Sequence, residues 1–188
     1  MTIFLILAPY GAFALLMLVT SATVGLLASA VICLAVVALD VVRGRSVKLL
    51  GAGSAALFAG LAGYVALVDP GLSIAAVKLA VDTGIFLISA ISMLIRYPFT
   101  LQYALEAVPA ETAAMPGFLR ANYIITAAWT VASLLMMTAN VAILYVPGLP
   151  IWSSLVIAFA ARNSAVYFTK WYPEYRKASY ATHALPGT

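Results

Sequence analysis

Residues 72–96 read LSIAAVKLAVDTGIFLISAISMLIR, and this stretch decides the fold. It exceeds the roughly 20 apolar residues that a bilayer-crossing helix needs. Yet Lys78 and Asp82 sit inside it. Four positions apart, they fall on one helix face. Ile85, Ser89, Ser92 and Arg96 continue that face. At about 100° per residue the stripe is about 80° wide. A charge at mid-bilayer costs at least about 2.5–3.5 kcal/mol on insertion scales. This segment therefore predicts a helix that turns its stripe toward other helices and away from lipid.

The rest of the chain agrees with that environment. Of its 188 residues 65% are hydrophobic and only 9% are charged, against about 25% in ordinary soluble domains. The mean hydropathy is +1.09. No water-soluble domain of this length can hide so much apolar surface. A soluble enzyme, a nucleic-acid-binding domain and a disordered regulator are excluded. The expected fold class is all-α: a polytopic integral membrane bundle of five to six transmembrane segments, without β-sheet, forming a single domain over 1–188. The net charge of +4 is then a matter of topology, not of nucleic-acid affinity.

Rare residues narrow the chemistry. Cys33 is the only cysteine and His183 the only histidine. One chain cannot form a disulfide from these, and zinc or haem ligand sets are lacking. His183 lies in the tail, so no Ser-His or Cys-His pair can be built in the membrane. Cys33 reads as a small core residue. Catalytic, cofactor and metal residues are all expected to be absent. The N-terminus has no basic n-region, so the first apolar segment is expected to stay.

Outward from the deciding stretch, the chain divides at its polar and turn-forming residues. Residues 3–39 are apolar with a weak point at Thr20-Ser21 and Gly25, which predicts spans over 3–19 and 22–41. The first is short and contains Pro9 and Gly11. A basic loop with Arg43, Arg45 and Lys48 precedes a span over 49–67. Ala56 with Gly60 and Ala59 with Gly63 make small-xxx-small pairs there, which favour close helix approach. Asp69-Pro70-Gly71 forms a turn before the span 72–95. The stretch 97–116 is punctuated by Pro98, Pro109 and Pro116 and predicts a loop with a short surface helix near 98–107. Spans over 117–145 and 151–171 follow, then a polar, aromatic tail over 172–188 in which His183 is unstructured.

Eight of the ten basic residues sort to one face under this topology: Arg43, Arg45, Lys48, Arg96, Arg120, Lys170, Arg176 and Lys177. The positive-inside rule makes that face, and the C-terminus, cytoplasmic. Tyr64, Tyr145 and Trp152 mark the outer interface; Tyr97, Trp171 and Tyr172 mark the inner one.

The span 117–145 repeats the stripe with Asn122, Thr126, Trp129, Ser133, Met136 and Asn140. Two polar stripes are expected to face each other or share a cavity. Arg162 and Asn163 lie in the last span, and Arg162 is within reach of Asp82. The candidate intramembrane cluster is Lys78, Asp82, Ser89, Ser92, Asn122, Thr126, Ser133, Asn140, Arg162 and Asn163. On the structural reading Lys78 and Asp82 neutralise each other, Arg162 finds carbonyls or snorkels, and the hydroxyls and amides bond between helices. On the sharper reading they line a conduction or proton-relay path.

Short motifs add a resemblance. They are the small-residue span 49–67, Lys78, RYPFTLQY (96–103), Pro116 with LRAN (119–122), AAW (127–129), AN (139–140) and LPIW (149–152). Together they resemble the bacterial intracellular septation protein A family over roughly two thirds of the chain. The short first segment is similar too; Arg162-Asn163 departs from the family pattern. The resemblance implies a multi-pass inner-membrane protein without catalysis, linked to septation, envelope maintenance and contacts with division or elongation machinery.

Three classes of function are open to such a chain. An interaction protein would meet the lipid bilayer and other inner-membrane envelope proteins through a contact loop with Arg96, Gln102, Glu106, Glu111 and Arg120. A small homo-oligomeric channel or transporter would use Lys78, Asp82 and Arg162. A lipid-acting enzyme is least supported, because no two carboxylates are held together by spacing.

Overall fold

The computed structural model describes the backbone of residues 3–184 and the side chains of 6–150, 152–177 and 179. All regular structure among these residues is helical. The helices are α1 (Ile3–Val19), α2 (Ala22–Val42), α3 (Leu49–Leu67), α4 (Ile74–Leu94), α5 (Phe99–Ala107), α6 (Ala110–Ala113), α7 (Phe118–Tyr145) and α8 (Ile151–Ala184). Helices α2, α3, α4 and α7 are each long and apolar enough to cross a membrane. In α1 the stretch Ile6–Val19 is apolar but shorter.

Local chemistry places the breaks. Ser21 caps α2 by accepting the Val24 N–H at 3.3 Å, and Ser73 caps α4 by accepting that of Ala76 at 3.2 Å. Each satisfies a donor that has no partner inside its helix. The ends of α2 and α4 share one geometry. Gly44 (φ 67) donates to the Val41 carbonyl, and Arg45 donates to that of Asp40. Arg96 (φ 60) donates to the Met93 carbonyl, and Tyr97 donates to that of Ser92. These paired bonds are the Schellman ending. Its left-handed residue is usually glycine; at α4 it is an arginine. Arg96 therefore stands off the helix and does not extend the α4 stripe as its spacing suggested.

The long helices pack in chain order, α1 on α2, α2 on α3, α3 on α4, α4 on α7 and α7 on α8, with α5 laid against α7. One core joins α1–α4 around Phe58, whose ring centroid lies 5.8 Å from that of Tyr10 and 5.7 Å from that of Phe13. A second joins α7 and α8 through Ala132, Met136, Ala161 and Ala165. Lipid tails are as apolar as these side chains, so association rests on van der Waals fit and interhelical hydrogen bonds. Gly84 supplies fit at the α3–α4 contact: a Cβ there would collide with the Leu57 side chain.

Two expectations need correction. The small residues expected to bring helices together do not do so within the chain. Ala56, Ala59 and Gly60 are exposed, and a Cβ on Gly60 or Gly63 would meet nothing within 4 Å. The packing face of α3 carries Ser54, Ala55, Phe58 and Ala62 instead. The polar end of the chain is not a loose tail either, since α8 continues as far as Ala184 and includes the backbone of His183. Residues 185–188 lie outside the described residues.

Candidate functional site

The facing stripes of α4 and α7 form a polar seam through the bundle. The two helices are neighbours, and Lys78, Asp82, Ser89, Ser92, Asn122, Thr126, Ser133 and Asn140 are all buried. The bonds made by its side chains are short and pairwise. Asn140 donates to the Asp82 carboxylate at 2.7 Å, while its own Oδ1 is buried with no hydrogen-bond partner. The Ser89 and Thr130 hydroxyls meet at 2.6 Å, and those of Thr100 and Thr126 at 2.7 Å. Ser92 accepts the Phe99 N–H at 3.1 Å, which fixes α5 beneath α4. Asn122 and Ser133 donate back to their own helix, at the Phe118 and Trp129 carbonyls.

The charges do not combine as their spacing suggested. Lys78 does not pair with Asp82; it donates to Ser154 of α8 at 2.6 Å. Arg162 does not reach Asp82. Its guanidinium lies over the Tyr10 ring, 5.5 Å from the centroid, and points an N–H at Met136 Sδ at 3.9 Å. Asn163 is exposed and donates to the Phe159 carbonyl of its own helix, so it leaves the cluster. Neighbouring positions on a helix differ by about 100°, so Arg162 and Asn163 cannot share a face.

Arg162 borders a cavity of about 710 Å³. Leu7 and Tyr10 of α1, Ile85 of α4, Trp129 and Met136 of α7 and Thr169 of α8 contribute to its lining. Trp129 donates its indole N–H to Thr169 at 2.9 Å, which ties α7 to α8 along the wall. Glu106, Met115, Phe118, Glu174 and Lys177 also line it, which places α5, the start of α7 and the last part of α8 at one end of the bundle.

At that end lies a second charged cluster. Lys48 is 2% exposed and sits between two carboxylates, Asp40 at 3.2 Å and Glu106 at 2.9 Å. Arg45 adds contacts of 3.7 Å to Asp40 and 4.0 Å to Glu106. Ser46 donates to Glu106 through its N–H at 3.2 Å and its hydroxyl at 3.1 Å. Partial burial pushes the Glu106 carboxyl up, but the bonds from Lys48 and Ser46 and the Lys48 charge outweigh it and hold the group below its ordinary value. Gln102 is buried, and its Oε1 accepts the Leu49 N–H at 2.7 Å. It thereby caps α3, whose own Lys48 provides no side-chain cap. Of the candidate contact-loop residues, Gln102 is thus turned inward and Glu106 is engaged, while Arg96, Glu111 and Arg120 are exposed.

Tyr10, Asp40, Lys48, Ser54 and Ser154 have structural roles that the sequence reading did not assign. Tyr10 and Ser54 share a hydrogen bond of 2.6 Å between α1 and α3. Only Asp40 and Lys48 carried a usable signal, as opposite charges on either side of a glycine turn. No protein-family model, no curated protein and no solved structure matches the chain. Nothing in these comparisons identifies the septation protein A family.

Proposed function

We propose that this chain is a non-enzymatic, multi-pass protein of the bacterial inner membrane, of the septation and envelope-maintenance type. It acts through helix and loop contacts with other membrane proteins. The observation that supports this reading is the use made of the seam. The polar side chains of α4 and α7 are engaged in pairwise bonds between helices, or back onto their own helix, with Asn140 Oδ1 the exception. Side chains paired in this way behave as interhelical glue.

In this reading α1 and α8 join the four long apolar helices to give five to six spans. The basic end faces the cytoplasm by the positive-inside rule. The surface offered to partners is the stretch around α6 and the start of α7, where Glu111, Met115, Leu119 and Arg120 are exposed. Gln102 and Glu106 serve this surface from behind, by holding α5 to the loop before α3.

The test has two arms. Photo-crosslinking in the native membrane from Glu111 and Arg120 is expected to capture defined envelope proteins, with a buried control at Gln102 capturing none. Ion and proton flux in proteoliposomes is expected to be absent from wild type and from Asp82→Asn alike. Flux that disappears in a folded Asp82→Asn variant would overturn the reading and install a small channel or transporter in its place.

A further inference from the structure

The cavity beside Arg162 borders the seam, with Ser89, Asn122 and Ser133 in its lining, and the rest of that lining has an uneven chemistry. Leu7, Ile85, Trp129 and Met136 make its inner walls apolar, and Met115 and Phe118 do the same toward the end of the bundle. Arg162 brings a cation into this space. All six Asp and Glu residues of the chain are described. None of them lies within 4.0 Å of the Arg162 guanidinium. Its contacts are an aromatic face and a thioether sulfur. A guanidinium carries five N–H donors in a planar fork, and neither contact supplies the oxygen acceptors that match it.

We infer that this cavity binds a single-chain anionic amphiphile, a long-chain carboxylate whose head group is held by Arg162 and whose tail lies along the apolar lining. Charge and shape select the head group. A carboxylate meets the fork through two parallel N–H···O bonds and neutralises the charge inside the bundle. Of the other cations in the lining, Lys177 is paired with Glu174 at 2.8 Å and Arg176 has an interaction of its own, so Arg162 sets the orientation: a tail-first ligand would press methylenes against its guanidinium.

Size selects a single chain. A tail of about 16 carbons takes on the order of 500 Å³ if each methylene is given roughly the 30 Å³ share of a liquid water. That fits a cavity of about 710 Å³; two such tails do not. The volume also falls in the range of about 300–1,000 Å³ typical of small-ligand pockets. The inference is independent of the partner-binding role proposed above.

The test uses the full chain in nanodiscs of phosphatidylcholine. The probes are palmitic acid carrying a diazirine in its chain, the alcohol of the same length with the same diazirine, and the corresponding lysophosphatidylcholine. The acid is expected to label the protein about tenfold more than the alcohol, as a charge-assisted head-group contact requires. Labelled peptides are expected to include Trp129, Met136 or Phe118. Arg162→Gln is expected to bring acid labelling down to the alcohol level, with Arg162→Lys intermediate. Equal labelling by acid and alcohol in wild type would overturn the inference. So would a preference for the lysophospholipid, or labelling confined to the exposed Val131, Leu134 and Leu135. The wild-type comparison of probes needs no variant, so it decides the matter even if Arg162→Gln fails to fold.

Discussion

Lys48 is a buried cation and Arg162 a partly buried one, and the fold treats them in opposite ways. Lys48 has a carboxylate on either side, at 3.2 and 2.9 Å, and a carbonyl at 3.1 Å from Ser46. Its three donors are all used. Arg162 faces a ring, a sulfur and an open cavity. The first arrangement is closed: every charge has a partner drawn from the same chain. The second is unfinished within the chain, and that is what separates a structural clasp from a binding site. Asp82 lies between these extremes, since it has an amide partner but no cation within bonding distance.

The contrast can be broken most directly at Lys48. Replacing it in Lys48→Met leaves Asp40 buried, with only the 3.7 Å contact to Arg45 as a counter-charge. Removing one member of a buried pair costs about 3–5 kcal/mol. Thermal unfolding in detergent should show the largest loss of any single substitution at this end of the bundle. A loss below about 1 kcal/mol, the range of exposed surface pairs, would mean that the clasp is not a clasp.

The next effect belongs to Gln102→Leu, which removes the acceptor for the Leu49 N–H at the start of α3. A buried donor left without a partner costs about 1–3 kcal/mol, and the part-buried Leu49 N–H is expected at the lower end. Hydrogen exchange should show faster opening at Leu49 while α7 stays protected.

Arg162→Met sharpens the other side of the comparison. The close contacts that disappear are a cation–π contact and a thioether contact, and no carboxylate loses a partner within 4.0 Å. The expected change in stability is about 1 kcal/mol or less, far smaller than at Lys48. A loss as large as that of Lys48→Met would show that Arg162 is a structural group after all.

The smallest effect is that of acid on the clasp. Glu106 titrates below its ordinary value in the folded protein. Its contribution is therefore present above the unfolded value of about 4.3 and is lost as the pH falls through the lower folded value. Tm measured on acidification below about pH 4.3 should fall more for wild type than for Glu106→Gln. Parallel curves would remove Glu106 from the clasp.

The residues at the two sites show how far the sequence could be read. The helical breaks near Thr20-Ser21, Asp69-Pro70-Gly71 and Pro116 were marked by residues whose effect is local. The stripe Lys78, Asp82, Ser89 and Ser92 was legible for the same reason, because about 3.6 residues per turn put them on one face wherever the helix is placed. Gln102 reads as a surface contact, yet the structure buries it. A polar residue in a proline-punctuated stretch reads as solvated, and nothing local says that the start of α3 lies beneath it. Arg162 was legible as an anomaly but not as a neighbour of Tyr10, which stands on a helix at the far end of the chain.

The sequence alone determined that the chain is apolar and helical, where its segments break, and which polar positions cannot face lipid. Those properties follow from composition and from angles between nearby residues, which the backbone sets locally. Only the tertiary structure decided who meets whom: Lys78 with Ser154, Asp82 with Asn140, Leu49 with Gln102, and Arg162 with an open cavity. Each partner lies many residues away, and its choice depends on the rotation and depth of two helices relative to each other. Packing sets that rotation and depth across the whole bundle, and no single segment encodes it.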